Sequence, residues 1–215
     1  MNENLHNDWT GNENSIWKTL GASNHTDKER ETDDFYCTSP EAIDKLIMKA
    51  EDTDTPLYRV WECAAGAGHL SIRLKQLGYT VYSTDIKDRG YPLDRKLDFL
   101  TATKADAPFD NEPYDILTNP PYKKAKEFVL KGIELLPKNG CLFMFLKLTF
   151  LEGKARYSEI FSKTPPYKVY VFSERVMCAK NGEFDRMREG GGSAVAYAWF
   201  IWRKGYVGDT IVKWI

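Results

Sequence analysis

Apolar and polar positions follow two patterns along the chain, a period of about 3.6 residues in some segments and short apolar runs in others. The 3.6-residue period predicts three amphipathic helices, over 39–50, 68–78 and 123–136. Ser39 and Pro40 suit the start of the first helix as cap and first helical residue, and Gly78 suits the end of the second. The apolar runs predict six strands, over 56–62, 79–85, 114–119, 141–150, 167–173 and 194–204.

Strands that alternate with helices favour a mostly parallel sheet with helices on both faces, an α/β fold. Ligands of such folds bind at the carboxyl ends of the strands, near the point where strand order reverses. We therefore expect one domain over residues 35–215 with its site at that edge. Residues 1–34 are polar and lack sustained periodicity, which predicts a poorly ordered arm. The charged, glycine-rich segment 177–193 predicts a mobile loop.

Composition is that of an ordinary globular chain. Of 215 residues 42% are apolar, which is enough for a core without disulfides, and no apolar stretch is long enough to span a membrane. The first residues lack the apolar centre of a signal peptide, and the cysteines form no close pair. These features predict a cytoplasmic protein with reduced thiols and no metal site.

Charge is divided unevenly between the two halves. Residues 1–118 contain 13 Lys and Arg against 22 Asp and Glu, a net charge of −9, whereas residues 119–215 contain 17 against 9, a net charge of +8. A polyanionic partner on the basic half would explain the asymmetry, and so would chance segregation of surface charge. The candidate phosphate contacts are Lys123, Lys124, Lys126, Lys154, Arg156, Arg186 and Arg188.

A glycine turn follows the first strand in "VWECAAGAGHL". Gly66 and Gly68 let the backbone turn sharply and approach a ligand closely. Glu62 ends that strand, and Asp85 ends the next one, where a carboxylate can accept hydrogen bonds from ribose hydroxyls. Ser71 stands where a nicotinamide-binding fingerprint has its third glycine. Two carboxylates suit a ligand with an ammonium group and no phosphate, so S-adenosylmethionine is favoured over NAD.

Both acidic positions of this cofactor region have a plain structural alternative. Glu62 would then cap local backbone amides. In "KLDFLTA", Asp98 can accept a hydrogen bond from an adenine amino group, with Phe99 or Leu100 beside the ring. The alternative is an ordinary loop aspartate next to a core residue.

The segment Asn119-Pro120-Pro121-Tyr122 follows a predicted strand and suits the binding of a planar amine. The Asn119 side-chain oxygen and the Pro120 carbonyl can accept the two amine hydrogens and stabilise the positive charge that develops during methyl transfer. Pro121 restricts Pro120 to extended conformations and so fixes the direction of its carbonyl. Tyr122 offers an aromatic face for stacking. The alternative is a proline-rich turn with a surface tyrosine.

The motifs "ECAAGAG", "STDI", "DFL" and "TNPPY", in this order and spacing, resemble those of amino-group methyltransferases that use S-adenosylmethionine. The upstream "DFYCTSPEAIDKLI" resembles the segment before the cofactor turn in DNA adenine-N6 methyltransferases. The longer "ASNHTDKERETDDFYCTSPEAIDKL" together with the late "AYAWFIWRKG" looks most like small adenine methyltransferases of phages and mobile elements. The resemblance implies a Rossmann-like, seven-stranded class I fold with a reversed last strand. It also implies that the cofactor site includes Tyr36, Thr38, Pro40, Ala64, Ile86 and Asn119.

The implied activity is methyl transfer to the N6 amino group of adenine in DNA. The alternatives are an RNA base amine, a protein glutamine amide, or a non-catalytic cofactor- or DNA-binding module. The chain has no room for the separate target-recognition domain of many DNA adenine methyltransferases, so specificity is either relaxed or supplied by a second protein. One of three late aromatic residues is expected against the target base: Tyr197, Trp199 or Phe200.

Overall fold

The computed structural model describes residues 36–51, 57, 59–109, 112–180, 184 and 195–215. All of them belong to one compact unit, Glu31–Ile215. The predicted arm, most of the predicted loop 177–193, and Arg186 and Arg188 lie outside the described residues.

The described residues form three main helices and ten strands. The helices are α1 (Pro40–Glu51), α2 (His69–Gln76) and α3 (Ala125–Leu135). The strands are β1 (Tyr36–Thr38), β2 (Arg59–Glu62), β3 (Val81–Asp85), β4 (Arg95–Lys96), β5 (Tyr114–Thr118), β6 (Cys141–Lys147), β7 (Lys168–Val171), β8 (Cys178–Lys180), β9 (Tyr197–Arg203) and β10 (Ile211–Trp214). Short helical turns cover Phe99–Thr101, Lys104–Asp106, Tyr122–Lys124, Leu148–Leu151, Lys154–Arg156 and Tyr157–Phe161.

Eight strands form the central sheet, in the order β10-β7-β9-β6-β5-β2-β3-β4. All neighbours run parallel except β9, which is antiparallel to both β6 and β7. From β2 the chain extends the sheet in one direction through β3 and β4, and then in the other through β5 and β6. Strand order therefore reverses between β2 and β5, which is where a ligand crevice is expected.

The predicted α/β, Rossmann-like class is confirmed, with one difference at the end of the chain. Seven strands of the sheet have the predicted arrangement with a reversed strand, β9, but β10 follows it as an eighth strand at the edge, parallel to β7. The reversed strand is therefore not the last. Only long-range pairing to β7 reveals β10, because four residues are too short to show a clear period.

Each face of the sheet has its own apolar core. Residues of α1 and α2 pack on one face, and residues of α3 pack on the other. Side chains alternate between faces along a strand, so β9 contributes to both cores. Tyr197, Trp199 and Ile201 belong to the first core, and Ala198, Phe200 and Trp202 belong to the second.

The structure differs from two of the predicted element boundaries, and strand pairing explains both differences. The strand predicted over 141–150 ends at Lys147, because its ladder with β9 ends at the Lys147–Tyr197 pair, and the chain then curls into the turn Leu148–Leu151. The predicted loop begins with a strand instead: Cys178–Lys180 pair antiparallel with β1 in a separate two-stranded sheet. None of the helices in the described part of the chain is both long and apolar enough to cross a membrane.

Candidate active site

A cleft of about 310 Å3 lies at the carboxyl ends of the strands next to the reversal of strand order. Its volume is within the range of small-molecule sites. Twelve of the predicted site residues line it: Thr38, Glu62, Ala64, Gly66, Asp85, Ile86, Asp98, Phe99, Asn119, Pro120, Pro121 and Tyr122. Pro40 is the exposed first residue of α1 and is not part of the lining, and the side chain of Tyr36 is outside the described set.

The glycine turn between β2 and α2 fixes one side of the cleft. Gly66 and Gly68 both have positive φ, at 57° and 79°. The Gly66 amide donates a hydrogen bond of 2.8 Å to Asp85 Oδ2. Gly68 does not line the cleft. The Tyr91 ring covers the position that a Cβ atom would occupy at this residue. The second glycine thus serves the packing of the turn, and the first contributes to the cleft wall.

Asp85 and Asp98 are held by the backbone at the edge of the cleft. Asp85 Oδ1 accepts a hydrogen bond of 2.8 Å from the Lys87 amide, so each of its oxygens has one backbone donor. Each oxygen retains a second lone pair for a ligand hydroxyl. Asp98 Oδ1 accepts from the Leu100 amide at 3.0 Å and caps the turn Phe99–Thr101. Asp98 is therefore both a loop cap and a lining residue.

Glu62 is buried at the base of the cleft and belongs to a chain of hydroxyl groups. Its Oε2 accepts a hydrogen bond from Ser71 Oγ, which lies 2.7 Å from Ser83 Oγ. Burial raises the pKa of the Glu62 carboxyl to about 8, the Ser71 bonds limit this rise, and the Asp85 charge adds to it. Ser71 was not predicted as a partner of Glu62. Its position in place of a third glycine was the available signal.

The Asn119 amide is oriented by the small sheet of β1 and β8. Its Nδ2 donates to Thr38 Oγ1 at 2.9 Å and to Cys178 Sγ at 3.5 Å. Thr38 and Cys178 are directly opposite each other in the ladder. Because both hold the nitrogen end of the amide, they direct the oxygen of Asn119 away from this sheet. Sequence reasoning missed Cys178, which lies 59 residues from Asn119.

Tyr122 lies between three side chains. Its hydroxyl is 3.1 Å from Cys178 Sγ, its ring centroid is 5.9 Å from that of Tyr197, and Lys147 Nζ is 5.0 Å from its ring centroid. Burial raises the pKa of the Tyr122 hydroxyl well above its usual range, so this group stays neutral. The tyrosine is thus half-buried in an aromatic cluster, which differs from the surface position that a proline-rich turn alone would suggest.

Of the three late aromatic residues, Tyr197 adjoins Tyr122. Trp199 is fully buried and donates its indole N–H to the Ala42 carbonyl at 2.9 Å, and Phe200 packs against Phe150 and Trp202. Tyr197 lies next to Tyr122 because β9 runs antiparallel to β6, so the first residue of β9 is paired with Lys147, the last residue of β6.

The basic residues divide into two groups. Lys126 forms an ion pair with Glu159 at 2.9 Å, and Arg156 donates to main-chain carbonyls, so both are used within the protein. Lys123, Lys124 and Lys154 are exposed, and the first two also line the cleft.

Solved structures with a similar fold include several methyltransferases. A protein of Pyrococcus horikoshii assigned as an RNA methyltransferase has a TM-score of 0.56 and 15% identity, over 82% of this chain and 90% of its own. A protein of Listeria monocytogenes assigned as a class I S-adenosylmethionine-dependent methyltransferase has a TM-score of 0.55 and 11% identity, over 87% and 68%. A Lactococcus lactis protein assigned as a hemolysin has a TM-score of 0.51 and 11% identity, over 80% and 91%.

The chain has the class I methyltransferase fold. At these identities the likeness concerns the fold and not the substrate. No protein-family profile matches the sequence, and no curated protein sequence matches it.

We expect Gly68→Ala to destabilise the protein more than Gly78→Ala does. Both glycines have positive φ, at 79° and 89°, so alanine costs about 1–2 kcal/mol at either position. A methyl group at Gly68 would lie 2.1 Å from a Tyr91 ring carbon, whereas nothing lies within 4 Å at Gly78. This overlap adds about 1–3 kcal/mol. Urea unfolding of both variants measures the difference. Equal losses in the free energy of unfolding would show that the Tyr91 ring can move aside at no cost.

We expect Glu62→Gln to stabilise the protein increasingly between pH 4.5 and pH 8. The unfolded chain loses the Glu62 proton near pH 4.5, whereas the folded protein keeps it to about pH 8. Over that interval ionisation favours the unfolded state, so the native glutamate lowers the free energy of unfolding as pH rises. At about 1.4 kcal/mol per pKa unit, the free energy of unfolding of the variant rises relative to that of the native protein by up to about 5 kcal/mol at pH 8. Above pH 8 the difference stays constant.

Urea unfolding of both proteins at pH 5 and pH 8 measures this change. Glu127→Gln is the control, because Glu127 is exposed on α3. A difference between the Glu62 variant and the native protein that did not change with pH would contradict the raised pKa.

Proposed function

We propose that this protein transfers a methyl group from S-adenosylmethionine to the N6 amino group of adenine in DNA. The observation that carries the proposal is the Asn119 amide, which Thr38 and Cys178 orient at the end of β5, next to Pro120 and beside Tyr122. Asp85, at the end of a nearby strand, lines the same cleft. An acceptor pair for a planar amine thus lies beside a candidate ribose acceptor.

The donor groups of the cleft fit S-adenosylmethionine better than a dinucleotide. Glu62 and Asp85 both line the cleft, and the Gly66 amide at the turn is already bonded to Asp85. A pyrophosphate would be repelled by the Asp85 carboxylate there. An ammonium group beside Glu62 would lower the raised pKa of that carboxyl and favour its charged form, which attracts the ammonium group. The ribose hydroxyls would bond to Asp85, and the ammonium group would lie toward Glu62. When bound, this cofactor supplies an electrophilic methyl group on a positively charged sulfur.

The protein's own groups would act on the target amine. Asn119 Oδ1 and the Pro120 carbonyl accept its two hydrogens, which makes the nitrogen lone pair more available and stabilises positive charge as the new N–C bond forms. The ring of Tyr122 would stack on the base, and Tyr197 supports that ring. The amine loses its proton after the transfer, so no strong base is needed beside it.

DNA is favoured as the substrate by the motif resemblance and by Lys123 and Lys124, which are exposed and line the cleft. A second candidate is an amino group of an RNA base. It has the same chemistry, and the Pyrococcus horikoshii protein of similar fold is assigned as an RNA methyltransferase. The two candidate functions are distinguished by which nucleic acid, DNA or RNA, accepts the methyl group.

The test is methyl transfer from radiolabelled S-adenosylmethionine to double-stranded DNA, single-stranded DNA, total RNA and a protein extract in parallel. The labelled product is digested to nucleosides. We expect label in N6-methyl-2′-deoxyadenosine from DNA. Label only in RNA or in protein would change the proposed substrate and leave the fold assignment unchanged. No label with any substrate, when binding of S-adenosylmethionine is shown separately, would contradict methyl transfer by this protein alone.

We expect Asn119→Ala to reduce kcat by at least about 100-fold with little change in the Kd for S-adenosylmethionine, because it removes a preorganised acceptor. Thr38→Val is the matched variant: it keeps Asn119 but removes the hydroxyl that orients its amide. We expect a smaller loss of kcat for this variant, about tenfold. Single-turnover rates and Kd values measure both effects, and full activity of Asn119→Ala would rule out the proposed role of the amide.

A further inference from the structure

The segment that follows β6 begins at the candidate active site. β6 ends at Lys147, whose ammonium group lies against the Tyr122 ring. At about 3.8 Å per residue, the Cα atom of Leu151 lies within about 15 Å of that of Lys147. The Lys126–Glu159 ion pair joins the end of this segment to the start of α3, directly after the turn Tyr122–Lys124. The segment 148–157 therefore starts next to Tyr122, which lines the cleft, and is followed by Glu159, which is bonded to the start of α3.

Arg156 gives this segment a fixed shape. Its Nε donates to the Phe150 carbonyl at 2.8 Å, and its Nη2 donates to the carbonyls of Thr149 and Glu152. Its guanidinium carbon is 5.1 Å from the centroid of the Phe150 ring. Gly153 has a φ of 130°, and a Cβ there would lie 2.8 Å from Arg156 Nη2. Arg156 therefore acts as an internal brace, with three of its five N–H groups bonded to carbonyls of this segment.

The braced segment exposes an apolar, a basic and an aromatic side chain at a spacing of three residues. Leu151 is 46% exposed and Tyr157 is 66% exposed, and Lys154 is exposed between them. Lys154 forms no ion pair within the part of the chain that the structure describes. Phe150, by contrast, is buried against Phe161 and Phe200 and anchors the segment to the core. Leu151 is therefore presented to solvent from a rigid support.

We propose that Leu151 is a wedge that enters the base stack of a DNA duplex beside the target adenine, with Lys154 on the adjacent phosphates and Tyr157 against a neighbouring base. The proposal rests on the proposed function. A target adenine must leave the duplex to reach Asn119, at a cost of a few kcal/mol in lost pairing and stacking. An apolar side chain that fills the gap offsets part of this cost, and a braced loop loses little conformational entropy on insertion.

The test compares Leu151→Ala with the native protein on three DNA substrates of one sequence: a duplex, the single strand, and a duplex with an abasic site opposite the target adenine. A wedge is needed only where the adenine is paired and stacked. We expect kcat/KM to fall about tenfold on the duplex and less than about twofold on the other two, with an unchanged Kd for S-adenosylmethionine. Arg156→Lys should reproduce part of the duplex-specific loss, because the ammonium group of lysine lacks the rigid planar fork with which Arg156 bonds three carbonyls from two nitrogen atoms.

Leu77→Ala is the control variant, because Leu77 is 39% exposed at the end of α2, on the opposite edge of the sheet. It should leave all three rates unchanged. If the native protein methylates DNA, and Leu151→Ala lowers all three rates equally or changes none of them, the wedge is wrong and the proposed function stands. Methylation of RNA but of no DNA by the native protein would overturn both.

Discussion

The antiparallel placement of β9 between β6 and β7 is the constraint on which most of this structure depends. Every other neighbour in the central sheet is parallel, so β9 alone starts at the edge where the other strands end. Its alternating side chains complete the cores on both faces with Trp199 on one side and with Phe200 and Trp202 on the other. Its first residue, Tyr197, reaches the candidate site for the same reason.

The site itself depends on polar groups that are positioned by other polar groups. Asp85 is held by two backbone amides, Glu62 by Ser71, and the Asn119 amide by Thr38 and Cys178. Buried polar groups of this kind are stable only when bonded. The bonds that satisfy them also set their directions, so the orientation needed for chemistry follows from the requirements of folding.

The charge asymmetry of the chain has a more limited meaning than its size suggests. Lys126 and Arg156, two of the basic residues in the positive half, are engaged in an ion pair and in bracing a loop. Lys123 and Lys124 are exposed and line the cleft, and Leu151, Lys154 and Tyr157 are exposed on the segment that follows β6.

The sequence by itself determined the features that depend on neighbouring residues. Periodicity predicted the helices and most strands of the central sheet, and the local motifs predicted the glycine turn, the strand-end carboxylates and the Asn119–Tyr122 segment, most of which line one cleft. Only the tertiary structure decided which distant residues complete that cleft. Three such contacts join residues far apart in the chain: the pairing of β8 with β1, the contact of Cys178 with Asn119, and the contact of Tyr197 with Tyr122. Such contacts depend on strand direction and register, which local pattern does not encode.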